Sequence, residues 1–366
     1  MCGTEIPVPA SPPKGSDIGR RWRRRAPYWI ALVLATAVVF AIFLHPPGLN
    51  RTRRATFVAM VEGTAHRPFA YRVLLPMTVR LVRTVTPSVV RQSLDDSIGG
   101  TDLVRHAFGK LGWEEDYFFE YATALVLMYA SLVGFALSVR YLCTGLYEGP
   151  ELVADLASLA AVVILPAIFG YCNYIYDFPA LFLFTLGLAL MVRRKWGVFL
   201  IVFLAGCLNK ETAILLTVLY VIHFLKGRRM QRGLFVKLLV VQLAVFVMVK
   251  LGLHLALRSN PGAFVRFHLV DHNLRLLKPF SLPGVFTFLA LVFVTFRKWS
   301  EKPEFLRHGI WIPVLLLVLT LFLGYLDELR DYYEAVPIVV LLATDTVAAA
   351  CGVRLVNIQN GKQPEG

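Results

Sequence analysis

Residues 193–229 read RRKWGVFLIVFLAGCLNKETAILLTVLYVIHFLKGRR. Between the basic brackets Arg193-Arg194-Lys195 and Lys226-Gly227-Arg228-Arg229 lies an apolar stretch, 196–225, interrupted at its middle by Asn209-Lys210-Glu211-Thr212. A membrane-crossing helix takes about 20 apolar residues, with a usual range of about 17–25, so the stretch is too long for one crossing. Lys and Arg clusters beside such helices stay on the cytoplasmic side. Two cytoplasmic brackets require an even number of crossings between them. The simplest solution is a hairpin of two short helices with the polar tetrapeptide at its outer tip. Each arm has ~13 residues, or roughly 20 Å at helical rise, less than the ~30 Å hydrocarbon core. The tip therefore sits below the outer surface, with Lys210 and Glu211 in a recess. A tight turn with solvated charges is the plainer alternative.

Working outward, further apolar runs occupy 28–44, 118–141, 153–171, 177–192, 234–257, 281–297, 310–325 and 335–350. With the hairpin they predict an all-α, polytopic transmembrane bundle of about ten helices, both termini cytoplasmic. The chain then divides into a basic N-terminal tail (1–27), a membrane domain (28–350) whose first extracytoplasmic loop is 45–117, and a C-terminal tail (351–366). Arg20, Arg21, Arg23, Arg24 and Arg25 precede the first run, and His45-Pro46-Pro47 follows it with no small-residue cleavage site. That pattern reads as an uncleaved first helix.

Composition agrees. Of 366 residues 57% are hydrophobic and 17% charged, against about 25% charged in soluble domains. Mean hydropathy is +0.62. The net charge of +14 is explained by basic clusters flanking apolar runs. No helix-turn-helix, zinc-finger or RNA-binding signature is present, so nucleic acid is not an expected partner. Cys2, Cys143, Cys172, Cys207 and Cys351 show neither CxxC nor Cys/His spacing, which argues against a disulfide framework or zinc site.

The first outer loop carries Arg51, Arg53, Arg54, Arg67, Arg72, Arg80 and Arg83, an exception to the charge rule in a loop longer than the rule covers. Within it, Tyr71–Val85 reads as an amphipathic helix interrupted near its start by Pro76. Arg72, Arg80 and Arg83 fall within about 80° of each other at helical pitch, and Leu75, Val79 and Val82 line another side. Such a helix lies in the membrane surface.

On this topology the polar clusters all reach the outer side: His66 to Arg72, Tyr174 to Pro179, Asn209 to Thr212, His268 to Asn273 and Asp327 to Glu334. Ionisable groups at membrane depth are costly and line cavities or pair with each other, so the convergence points to one aqueous cavity. Local alternatives stand beside that reading. Asp177 before Pro179 suits a helix start, Arg330 and Glu334 have pairing spacing, and Tyr332 and Tyr333 suit an interfacial belt. His268 and His272 share a face without a third metal ligand. Lys250 and His254 either line the cavity or turn outward.

At these residues a family likeness appears. Arg67-Pro68-Phe69-Ala70-Tyr71-Arg72-Val73-Leu74-Leu75-Pro76 resembles a "PF-x-YR-x-L-x-P" segment after the first helix of bacterial polytopic proteins, and Asn209-Lys210-Glu211-Thr212 and Glu328-Leu329-Arg330 resemble further segments of that set. The set is similar to membrane glycosyltransferases of the C-type (GT-C) superfamily. The resemblance implies an inner-membrane enzyme moving a sugar from a polyprenyl-phosphate donor to an envelope glycan, lipid or protein, outside the cytoplasm. Arg67, Tyr71, Arg72, Asn209, Lys210, Glu328, Arg330 and Tyr332 are the expected substrate-binding residues. The family's catalytic carboxylate lies early in the first outer loop, where this chain has only Glu62. Glu62 is the nominal base by position, with Asp177 and Glu211 as rivals. Some members use a divalent metal, but no convincing ligand set is present here. A transporter or flippase for a lipid-linked or anionic substrate and a non-catalytic component of an envelope-assembly complex are the competing readings.

Overall fold

The computed structural model describes residues 16–45, 49–169, 172–225, 230–263, 267–270, 272–276 and 282–358. The expectations for the tail before residue 16, for the bracket 226–229 and for the end beyond 358 lie outside the described residues. The chain is helical, apart from one antiparallel pairing of β1 (Tyr147–Glu148) with β2 (Val356–Asn357).

Helix α1 (Ser16–Leu44) leads into four short helices of the 45–117 region: α2 (Phe57–Glu62), α3 (Leu74–Val85), α4 (Ser88–Leu94) and α5 (Asp102–Leu111). Then follow α6 (Phe118–Leu146), α7 (Glu151–Val163), α8 (Asp177–Val192), α9 (Trp196–Asn209), α10 (Ile214–Leu225), α11 (Arg232–Ala256) and α12 (Leu282–Phe296). The last are α13 (Glu304–Gly309), α14 (Trp311–Leu323) and α15 (Val336–Ala350).

Helix α6 is the central post. Tyr121, Ala124, Met128, Leu132, Phe135, Val139 and Leu142 recur at three- and four-residue spacing and are fully buried, the stripe that one face of a helix presents. It packs against α8, α7, α3 and α1. Small residues set the distances: Ala154, Ala157, Ser158 and Ala161 form the buried face of α7. A Cβ added at Gly134 would stand 2.8 Å from the Phe182 ring of α8. Close backbone approach through small residues is how helices associate where apolar surface is no driving force.

The outer faces remain apolar. On α1, Leu32, Thr36, Val39 and Phe43 are buried while Ile30, Val33, Leu34, Val38 and Ile42 are exposed. On α11 only Leu238 and Gln242 are buried. Helices that are apolar on both faces fit a hydrocarbon solvent rather than water. By length and composition, five helical stretches among the described residues could cross a membrane: Arg25–Leu44, Glu115–Leu146, Arg232–Ala256, Glu304–Leu323 and Leu329–Ala350. Asp177–Val192, Trp196–Asn209, Glu211–Leu225 and Val285–Phe296 are apolar but shorter.

Two expectations change. The run 153–171 does not stay helical: α7 stops at Val163, and Pro166, which has no N–H to continue the ladder, sits in a 3-10 turn at Leu165–Ala167. The amphipathic helix starts at Leu74 rather than Tyr71, so Pro76 falls in its first turn, where the missing donor costs nothing. Arg72 is therefore not on the helix that carries Arg80 and Arg83.

The expected hairpin is present. Trp196, opening α9, packs on Tyr220 and Phe224 near the end of α10, with ring centroids 5.7 and 5.3 Å apart. The two arms thus run antiparallel, with Asn209–Ala213 at the bend. Contacts elsewhere sort the polar residues to two ends of the bundle. One end gathers the end of α1, the starts of α6, α8 and α15, and the hairpin bend. The opposite end gathers the Arg25–Glu151 and Arg140–Asp155 pairs, the β1–β2 pairing, the His223–His308 contact and Lys302.

Candidate anion-binding site

The first of these ends holds the site. Residues 172–177 fold into a turn ahead of α8. Asp177 Oδ2 accepts from the Tyr174 amide at 2.9 Å, and Asn173 Nδ2 donates to the Phe43 carbonyl at 2.6 Å. The turn stacks Tyr174 on Tyr176, centroids 5.1 Å apart and 9° from parallel. Each ring carries a guanidinium: Arg72 Cζ lies 4.3 Å from the Tyr176 centroid, and Arg330 Cζ 4.2 Å from that of Tyr174. Contacts of this kind contribute about 0.5–2 kcal/mol, most when dry.

Backbone geometry brings the remote segments in. A 3-10 turn at Phe69–Tyr71 ends on Arg72, and the Val73 amide donates to the Leu208 carbonyl at 2.9 Å. That bond sets Arg72 beside the hairpin bend. Asn209 Nδ2 donates to the Tyr176 carbonyl at 3.0 Å, joining bend and turn. The 3-10 segment Leu329–Ala335 supplies Arg330 and Glu334.

The cations and carboxylates pair across these segments. Arg72 Nη2 donates to Glu211 Oε1 at 2.8 Å and its Nη1 donates to the Tyr176 hydroxyl. Lys210 Nζ meets Glu334 Oε1 at 3.0 Å, and Thr212 donates to the same oxygen. Arg330 Nε donates to Glu328 Oε1 at 2.7 Å, and its Nη1 lies 3.8 Å from Asp177 Oδ1. Side-chain exposure is 11% for Arg72, 9% for Lys210 and 7% for Arg330. Glu334 is 1% exposed and Asp177 2%, whereas Glu211 is open at 44%. Glu211 is thus the carboxylate that a molecule arriving from outside can reach.

Burial works against the charge of Arg72, but Glu211 and then Tyr176 beside it outweigh that effect and raise its pKa. Burial likewise pushes the Tyr174 and Tyr176 phenols up, so both remain protonated donors. Asn209 Oδ1, Glu334 Oε2, Tyr333 Oη and Arg72 Nε are buried without a hydrogen-bond partner. Buried polar groups ordinarily find partners. Asn209, Lys210 and Glu334 line a narrow crevice with Ala180, Phe184 and Gly206, with room for about one water molecule.

Of the residues singled out in the sequence, Arg72, Asn209, Lys210, Glu211, Asp177, Glu328 and Arg330 come together here. Tyr71 lies at the edge, its hydroxyl 3.3 Å from His254 Nδ1. Arg67 is further out on the same segment, its amide donating to the Pro261 carbonyl at 2.8 Å. Tyr332 turns toward Thr320 at the end of α14. Glu62 is elsewhere: it accepts from Arg83 Nη1 at 3.0 Å, and the same nitrogen donates to Glu120. Arg330 does not pair with Glu334, because the 3-10 geometry carries them to Glu328 and Lys210. His268 and His272 both pack on Tyr325, and His272 Nε2 lies 2.9 Å from Asp327 Oδ1.

Tyr174 and Tyr176, expected in an outer cluster, and Lys250, expected either to line the cavity or to turn outward, were not among the expected substrate-binding residues. Lys250 Nζ donates to the Cys207 carbonyl at 3.2 Å, on the bend side of α9. The Tyr-x-Tyr-Asp pattern ahead of an apolar run was the available signal. Among the described residues no group of three or more His, Cys, Asp or Glu side chains is placed to hold a metal ion. Comparison with protein families, with curated proteins and with solved structures returned no match for this chain.

Proposed function

We propose that the chain is an integral membrane glycosyltransferase that takes a sugar from a polyprenyl-phosphate donor and places it on an envelope glycan, lipid or protein. In this reading it crosses a bacterial inner membrane about ten times, both termini face the cytoplasm, and the site opens outward. One observation carries the reading. The three segments that resemble GT-C sequences meet in one place, where Arg72 bonds Glu211 and Arg330 bonds Glu328.

The chemistry assigned to each group follows from its position. Arg72, Lys210 and Arg330 bind the donor phosphate by exchanging carboxylate partners for phosphate oxygens, a geometry that planar guanidinium forks favour. Glu211, the open carboxylate, takes the proton of the acceptor hydroxyl once Arg72 has left it for the phosphate. The acceptor oxygen bonds to the anomeric carbon, the bond from that carbon to the phosphate oxygen breaks, and polyprenyl phosphate leaves on the cations. Asp177 holds the tyrosine turn and Arg330 in place. Glu62, engaged with Arg83, is the less favoured base.

The test is binding and turnover of polyprenyl-phosphate sugars by the purified protein in lipid nanodiscs. Wild type should bind saturably and transfer. Arg72→Gln should weaken binding about 10- to 100-fold, the loss of a charge-assisted contact of about 1.5–3 kcal/mol. Binding without transfer to any acceptor would favour a flippase. A folded wild type that binds no donor would end the transferase reading and leave the scaffold.

A further inference from the structure

The arginines of the first loop differ in how they are held. Arg72 and Arg83 are held by carboxylates. Arg51, Arg53 and Arg54 are exposed, Arg67 is half-buried, and none of the four has a carboxylate partner among the described residues. They are neighbours in space: the His66 amide donates to the Arg54 carbonyl at 2.9 Å, which places Arg67 beside the Arg51–Arg54 turn.

That turn is rigid. Leu49 and Ala55 are buried on either side of it. Asn50 Nδ2 donates to the Tyr121 hydroxyl at 2.8 Å, and its Oδ1 accepts from the Phe57 amide at 2.8 Å. Thr52 Oγ1 accepts from the Tyr174 hydroxyl at 3.0 Å, so the turn abuts the aromatic pair of the site. Four uncompensated guanidiniums on a fixed scaffold make an anion-binding rim.

Two observations select a lipid as the source of the anion. The turn comes within ten residues of the end of α1 at Leu44, and its Thr52 touches Tyr174 at the end of the bundle where α1 stops, so the guanidiniums stand where the apolar span gives way to lipid headgroups. In the same loop α3 leaves Met77, Leu81 and Val85 exposed, one stripe at four-residue spacing that suits the acyl–headgroup boundary. A basic cluster and an apolar stripe in one loop fit a phosphate that carries acyl chains.

We propose that Arg51, Arg53, Arg54 and Arg67 form a docking surface for the phosphate headgroup of an anionic membrane lipid, seated at the rim of the site. This does not depend on sugar transfer. The test compares the full chain in phosphatidylcholine nanodiscs with and without phosphatidylglycerol. Wild type and the variant R51Q/R53Q/R54Q are compared by thermal stability and by native mass spectrometry of retained phosphatidylglycerol. The expected result is weaker retention by the variant, by about a hundredfold at about fivefold per arginine, and a smaller lipid-dependent rise in Tm. The control R105Q/K110Q, on α5 of the same loop, should match wild type. Equal retention by the R51Q/R53Q/R54Q variant would overturn the proposal, as would equal loss in the control. So would inorganic phosphate reproducing the full Tm rise in phosphatidylcholine alone, which would make the rim a free-anion site.

Discussion

The two ends of the bundle both carry ion pairs, but they carry them differently. At the end holding Arg72, the Lys210–Glu334 and Arg330–Asp177 pairs are almost closed to solvent. At the opposite end Arg25 and Glu151 pair at 2.7 Å with 51% and 62% of their side chains exposed and Lys298–Glu301 is just as open, while Arg140–Asp155, at 22% and 15%, is partly shielded and Lys302 is buried against a carbonyl and a hydroxyl rather than a carboxylate. Withdrawing two charges from water costs several kcal/mol per ion, and mutual attraction repays this only in good geometry. Exposed pairs pay little and gain little. A bundle that needed only cohesion could have filled the first end with apolar side chains. The retention there of four basic side chains (Arg72, Lys210, Lys250 and Arg330) and four acidic ones (Asp177, Glu211, Glu328 and Glu334) is more than cohesion requires.

The contrast can be broken by substitution, with the largest effect at the most buried pair. Lys210→Met leaves the Glu334 carboxylate without its cation and should lower unfolding stability in detergent by about 3–5 kcal/mol. Lys210→Met combined with Glu334→Leu removes both charges and should recover most of that loss. A cost below about 1 kcal/mol for the single variant would mean that water reaches the pair and that the two ends are alike. Arg330→Lys is the next step down. It keeps the charge but loses the fork that spans Glu328, Asp177 and the Tyr174 ring. The expected loss is about 1.5–3 kcal/mol, read from the same unfolding curves.

The helices were legible in the sequence because apolar runs bounded by Arg and Lys have few other solutions. The hairpin was legible for the same reason, and the Trp196 contacts with Tyr220 and Phe224 bear it out. The end of α7 was missed because Pro166 lies inside a run whose hydropathy continues to Phe169. The clustering of Arg72, Asn209, Lys210, Glu211, Asp177, Glu328 and Arg330 was legible in part, but their partners were not. Glu211 and Arg72 are 139 positions apart, and nothing local to either names the other. Local spacing actively misled at Arg330 and Glu334, four residues apart, because that pairing assumes an α-helix and the segment is 3-10. Position in the loop nominated Glu62, whose neighbours in the fold, Arg83 and Glu120, are set by how α2 and α3 lie against α6.

The smallest effect tests the other side of the contrast. Arg25 Nη2 reaches both oxygens of Glu151, at 2.9 and 2.7 Å, and Arg140 shares the same carboxylate at 3.3 Å. Distances alone would rank this pair with Lys210–Glu334. Exposure ranks it far lower, since water screens the charges and both long side chains must be ordered to meet. Arg140 also remains to neutralise Glu151 when Arg25 is gone. Arg25→Ala should therefore change unfolding stability by less than about 1 kcal/mol, and that small change should shrink as salt rises above about 0.15 M. Lys210→Met should be nearly insensitive to the same salt, because a buried pair is screened much less. If both variants showed the same salt dependence, solvent would have equal access to the two ends, and the buried network could no longer be set apart from the exposed pairs.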